Sequence, residues 1–115
     1  MPSRLRRWIC HIAALAALGG VIAAAEAVGL DVQLVIVAPA EVVAGNPING
    51  FVTGNEGWGA VVPFDMSGLQ MGPVIGSFED PIWFSYPTFE YQAPSLVTLR
   101  AHDYDESCSA VVTLK

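Results

Sequence analysis

The sequence predicts an all-β fold, a small antiparallel β-sandwich of about seven short strands behind a helical leader, and three observations carry that expectation. Residues 96–102 and 109–115 alternate along the chain with period two, the repeat of a strand rather than a helix. Turn-forming clusters such as Gly45-Asn46-Pro47 and Gly54-Asn55-Glu56-Gly57 recur at the roughly 8–12-residue intervals of sandwich and barrel proteins. Beyond residue 27 no span keeps helical periodicity, so nothing there reads as a helix.

The chain opens with Arg4, Arg6 and Arg7, continues through the apolar residues 8–25, and offers Ala25-Glu26-Ala27, small residues where a signal peptidase needs them. Residues 1–27 are therefore expected to be a secretory signal peptide cleaved after Ala27, and residues 28–115 the folded domain. The rival reading is an uncleaved anchor, because the apolar run approaches the ~18-residue minimum for spanning a bilayer. The A-x-A site and the abundance of Ala and Gly favour cleavage. Cys10 stands at the start of the run rather than after small residues at its end, which argues against a lipid anchor. The expected address is secreted, periplasmic or cell surface.

Removing the leader takes away three of the five basic residues and leaves Arg100 and Lys115 against ten carboxylates, a net charge of −8. Such a domain cannot neutralise a run of phosphates, so neither nucleic acid nor, after cleavage, the membrane is an expected partner. A protein or a polysaccharide at the cell exterior is. Because Cys10 would leave with the leader, Cys108 is expected to have no internal disulfide partner, and packing alone to hold the fold.

Taken in order, residues 31–37 read as a strand by composition, and Pro39 ends it or marks an edge open to pairing. After the turn at 45–47, Ile48, Gly50 and Val52 alternate with Asn49, Phe51 and Thr53 in a second strand. After the turn at 54–57, Trp58, Ala60, Val62 and Phe64 share one face of a third. Residues 65–72 read as a loop and 73–78 as a short strand. In 82–86, Ile82, Phe84 and Tyr86 lie on one side with Trp83 and Ser85 on the other. Pro81, Pro87 and Pro94 each lack a backbone donor and keep these strands short or at an edge. The last two strands form a hairpin around the polar loop from Asp103 to Ser107, with Val97, Leu99 and Ala101 facing Ala110, Val112 and Leu114 on a dry side.

The string P-A-E-V-V-A-G-N-P-I-N-G-F-V-T-G, the later Trp58, and Y-Q-A-P-S-L-V-T-L-R-A-H-D-Y-D-E-S together resemble bacterial immunoglobulin-like and PKD-type extracellular domains. The likeness covers most of residues 28–115. It departs from the pattern where Ser95 stands in place of a glycine and where no glycine follows the loop of Asp103, Tyr104 and Asp105. What the resemblance implies is a non-catalytic surface or secreted module used for adhesion or as a spacer, with Trp58 as the core tryptophan of the sandwich.

Sites of chemistry are sparse. Asp103, Asp105 and Glu106 could offer oxygens to a calcium ion, although Ser107 and Cys108 stand where an EF-hand type loop needs its third ligand and glycine. A zinc site on His102 and Cys108 would lack two ligands. For catalysis, no G-x-S-x-G elbow supports a triad on His102, a Cys108/His102 pair lacks an oxyanion hole, and Glu79 and Asp80 are adjacent rather than opposed. No catalytic residue is therefore expected. Six aromatics crowd residues 78–91, and an outward Trp83 with Tyr86 and Tyr104 would make a platform for sugar rings, the reading of a carbohydrate-binding module. Finally, Asn46-Pro47-Ile48-Asn49-Gly50-Phe51 is similar to the N-P-T-T-G-[YF] loop of chagasin-type protease inhibitors, without the accompanying R-P-W motif.

Overall fold

The structure, a computed structural model, describes residues 11–13 and 34–115. The described strands are β1 (His11–Ala13), β2 (Val35–Ala38), β3 (Glu41–Val42), β4 (Ile48–Thr53), β5 (Gly59–Phe64), β6 (Ile75–Ser77), β7 (Ile82–Tyr86), β8 (Ser95–His102) and β9 (Ser107–Leu114). A single 3-10 turn, Glu90–Gln92, separates β7 from β8. The strands form two sheets, A in the order β1-β2-β4-β7 and B in the order β3-β9-β8-β5-β6. The all-β sandwich is the architecture expected from the turn spacing and the alternation.

Period two sorts the side chains. Ile36, Ala38, Ile48, Val52, Ile82, Phe84 and Tyr86 from sheet A meet Val61, Val97, Leu99, Ala101, Ala110, Val112 and Leu114 from sheet B in one buried cluster. Each large aliphatic side chain enclosed there stabilises the fold by about 1.5–3 kcal/mol relative to exposure. The hairpin of β8 and β9 carries the longest ladder, eight residue pairs from Ser95↔Leu114 to His102↔Ser107. Because β8 also pairs with β5 along five residues, its backbone is engaged on both sides. β7 is an edge of sheet A, and Pro81 and Pro87 flank it, the placement that discourages further pairing.

Two tethers join the layers and loops. The Tyr86 hydroxyl, on sheet A, lies 3.0 Å from the carbonyl oxygen of Val61 on β5 and 3.1 Å from that of Pro73. At the opposite end the buried Thr88 hydroxyl accepts from the Gly45 amide at 2.9 Å and donates to the Asn46 carbonyl at 2.6 Å, fixing the β3–β4 turn against the segment after β7.

Three expectations need correction. His11–Ala13, inside the stretch expected to be a helical leader, forms a strand parallel to β2; the rest of residues 1–27 lies outside the described residues. Cys108 is not a lone thiol: it is disulfide-bonded, and its sulfur sits 3.8 Å from the Leu34 carbonyl oxygen. The chain's other cysteine, Cys10, lies outside the described residues. The expectation failed because it set aside everything before residue 28, whereas β1 joins sheet A. Third, Trp58 is absent from the core cluster: it precedes β5 in register with the outward Ala60, Val62 and Phe64. The sequence had not foreseen β3 or the 3-10 turn, which are two and three residues long and carry no readable periodicity.

Gly50 shows how closely β4 is held. A Cβ there would stand 2.3 Å from the Val37 carbonyl oxygen and 2.7 Å from the Phe84 ring. Gly50→Ala should therefore lower unfolding free energy by about 1–3 kcal/mol, as overpacking does in a dense interior, read from the urea midpoint; an unchanged midpoint would mean that β2 and β4 can part without cost.

Candidate functional site

The residues singled out from sequence do not form one platform. Trp83 is 61% exposed on β7 and tilts over Phe51 at a ring separation of 4.8 Å. Tyr104 is 69% exposed in the β8–β9 loop and lies against Gly57, where a Cβ would come within 2.8 Å of its ring. Tyr86 is only 4% exposed, part of the core. The alternation that turns Trp83 out must turn Tyr86 in, so Tyr86 is withdrawn as a ligand-stacking residue. Burial pushes its phenol up to about 12.

The acidic loop is a structural staple. Asp103 Oδ1 accepts from the amides of Asp105 at 2.9 Å and Glu106 at 2.8 Å, while Oδ2 accepts from the Glu56 amide at 2.9 Å, tying the β8–β9 loop to the β4–β5 loop. Partial burial pushes the Asp103 carboxyl up, but those three amides, together with the charge of His102, outweigh it and hold the carboxyl below its ordinary value. Asp80 plays the same part next door: Oδ1 accepts from the Thr53 hydroxyl at 2.6 Å and Oδ2 from the Gly54 amide at 3.0 Å. With Asp103 committed to amides, Asp103, Asp105 and Glu106 are not gathered as cation ligands, and among the described residues no three His, Cys, Asp or Glu side chains are grouped to hold a metal.

What the structure does assemble lies on the outer face of sheet B. If Val97, Leu99 and Ala101 point inward, then Leu96, Thr98, Arg100 and His102 must point outward, and the same alternation turns Trp58, Ala60, Val62 and Phe64 out from β5. The registers Val62↔Arg100 and Arg100↔Ser109 place these side chains side by side. Arg100 lies over the Phe64 ring with its guanidinium carbon 5.4 Å from the centroid, within cation–π range. His102 stacks at a tilt on Trp58, ring centres 5.5 Å apart. Trp58 in turn covers Gly76 of β6 so closely that a Cβ there would meet the indole at 2.7 Å.

These residues line an open concavity of about 650 Å³, bounded by Val62, Phe64, Arg100, His102, Ser107 and Ser109. A smaller hollow of about 280 Å³, which Asp65 and Thr98 help to line, shares Phe64 and Arg100 with it. Asp65 does not neutralise the arginine: its Oδ1 accepts from the Ser67 hydroxyl at 2.6 Å and from the Ser67 and Leu69 amides at 2.9 Å, bonds that hold its carboxyl low. Of the two cations in residues 34–115, Lys115 pairs with Glu41, whereas among the described residues Arg100 meets no carboxylate at ion-pair distance.

Sequence reading overlooked this face because it looked for acids and aromatics. The available signal was the polar half of the 96–102 run, where Thr98, Arg100 and His102 fall on one side. Chagasin-like presentation of Asn46–Phe51 has no loop to rest on, since Ile48–Thr53 is strand β4. Compared with known proteins, the chain matches no family model, no curated protein and no solved structure.

Two outcomes test the staple and the tether. A carboxyl whose folded value is lowered stabilises the fold above its unfolded value and ceases to as pH falls through the folded one. Asp103→Asn should therefore cost about 1–2 kcal/mol at pH 7, with the gap to the parent closing below the usual carboxylate range; a gap constant from pH 7 to 3 would remove the charge from the argument. Tyr86→Phe should lower stability by about 1 kcal/mol and abolish the late tyrosinate absorbance near pH 12.

Proposed function

We propose that the chain is a non-catalytic, immunoglobulin-like module that works outside the cytoplasm, secreted, periplasmic or at the cell surface, and binds a partner through the outer face of sheet B. The strand order supports the immunoglobulin-like part. β2, β4 and β7 lie in one sheet and β9, β8, β5 and β6 in the other, the division that immunoglobulin sandwiches give to A, B, E and to G, F, C, C′. The N-terminal basic residues, apolar run and A-x-A site support export.

The observation that carries the binding role is Arg100, held over Phe64 in an open concavity with no carboxylate partner among the described residues. An exposed cation spends conformational freedom to be fixed in this way, and a waiting ligand gives that cost a use. His102 and Asp103, which catalysis would need, are engaged otherwise, one on Trp58 and the other on three amides.

A second reading, a carbohydrate-binding module stacking sugars on sheet A, is favoured by Trp83 alone, whose exposed indole is braced by Phe51. Labelled protein applied to the producing cells discriminates between the two. The first reading expects at least a tenfold loss of bound protein with Arg100→Gln and little change with Trp83→Ala; the reverse pattern would select sheet A, and retention in the cytoplasm would overturn the export on which both depend.

A further inference from the structure

We infer that the concavity around Arg100 is a site for a carboxylate-bearing sugar, a uronic acid unit of an acidic glycan, an inference that rests on the outer face of sheet B being the recognition surface. The guanidinium carbon stands 5.4 Å from the Phe64 ring centroid, a contact that restrains the head group while its N–H donors remain to meet a ligand. A planar fork held in this way matches a carboxylate with two parallel hydrogen bonds, which a lysine could not do. The surroundings suit the rest of a sugar. Val62 and Phe64 give an apolar floor for ring C–H groups, while His102, Ser107 and Thr98 bring an imidazole and two hydroxyls to the rim for ring hydroxyls.

Charge makes the site selective. The outward strand positions 58–64 on β5 and its approach, 96–102 on β8 and 107–113 on β9 include no Asp or Glu, although the chain holds eleven. Two acids close to the face are engaged in loops: Asp65 Oδ1 accepts within its own loop, and Asp103 accepts from its own loop through Oδ1 and from the β4–β5 loop through Oδ2. At physiological salt, screening over ~8 Å leaves the local arginine to dominate over distant carboxylates. A peptide fits less well. β8 is hydrogen-bonded to β5 on one side and β9 on the other, so an acidic peptide laid at Arg100 would find side chains but no open backbone on that strand to pair with.

The test is a titration of the ¹⁵N-labelled full chain with trigalacturonic acid, its methyl ester, a neutral galactose trimer and a glutamate-rich peptide. Trigalacturonate should shift the Arg100 side-chain N–H and the amides of Val62, His102 and Ser107. Arg100→Gln and Arg100→Lys, both at an exposed position and checked for a parent-like dispersed spectrum, should weaken binding at least tenfold. Equal binding of the ester or the neutral trimer, or preference for the peptide at these same residues, would overturn the uronate assignment while leaving sheet B as the recognition face. Shifts confined to Trp83 and Phe51 would overturn both. Silence from all four probes would overturn the uronate assignment alone, the cell-binding assay then judging the face.

Discussion

The register locked across β5, β8 and β9 is the constraint on which the rest depends. Once Val61 pairs with Ala101 and Ala101 with Cys108, every inward residue of three strands is decided, and so is every outward one. A slip of one residue would send Arg100 into the core and Leu99 to solvent. The cost of burying an unpaired guanidinium is several kcal/mol, so core and candidate site are specified by the same pairing. The same pairing that packs the core sets Phe64, Arg100 and His102 on one face.

Much of this was legible in the sequence and some was not, for definable reasons. The hairpin of β8 and β9, the alternation of β7 and the inward set Val97, Leu99 and Ala101 are written in period two, the most direct signal a strand can give. The shared face of Trp58, Ala60, Val62 and Phe64 was legible too. Which way it pointed was not, since Gly59, Val61 and Pro63 on the opposite face are equally apolar and offer no polarity contrast. Tyr86 and Trp83 illustrate the gain from coordinates: one apolar run holds a core anchor and a solvent-facing indole, and only burial separates their roles. The Arg100 site needed cross-strand registry, which joins residues more than thirty positions apart and leaves no local trace.

The acidic character of the chain also changes meaning. Counted in the sequence, carboxylates suggest a cation or a basic partner. In the fold, Asp65, Asp80 and Asp103 each accept hydrogen bonds from neighbouring loop groups, so they serve as internal acceptors for amides that strands cannot satisfy. Loops closed by carboxylates free the outer face of sheet B to stay without acid, and that separation of roles gives an acidic protein one patch suited to an anion.

The paired backbone on both sides of β8 has a consequence for how such a face would diversify. Side chains on one face of a sheet stand at nearly fixed intervals, roughly 4.8 Å from strand to strand and about 6.7 Å along a strand. The groove is thus a ruler whose marks belong to the main chain and whose chemistry belongs to the side chains. Exchanges at 62, 64, 98, 100, 102 or 107 would alter what is read without moving where it is read, so a single scaffold could pass among ligands of matching repeat by surface substitution alone.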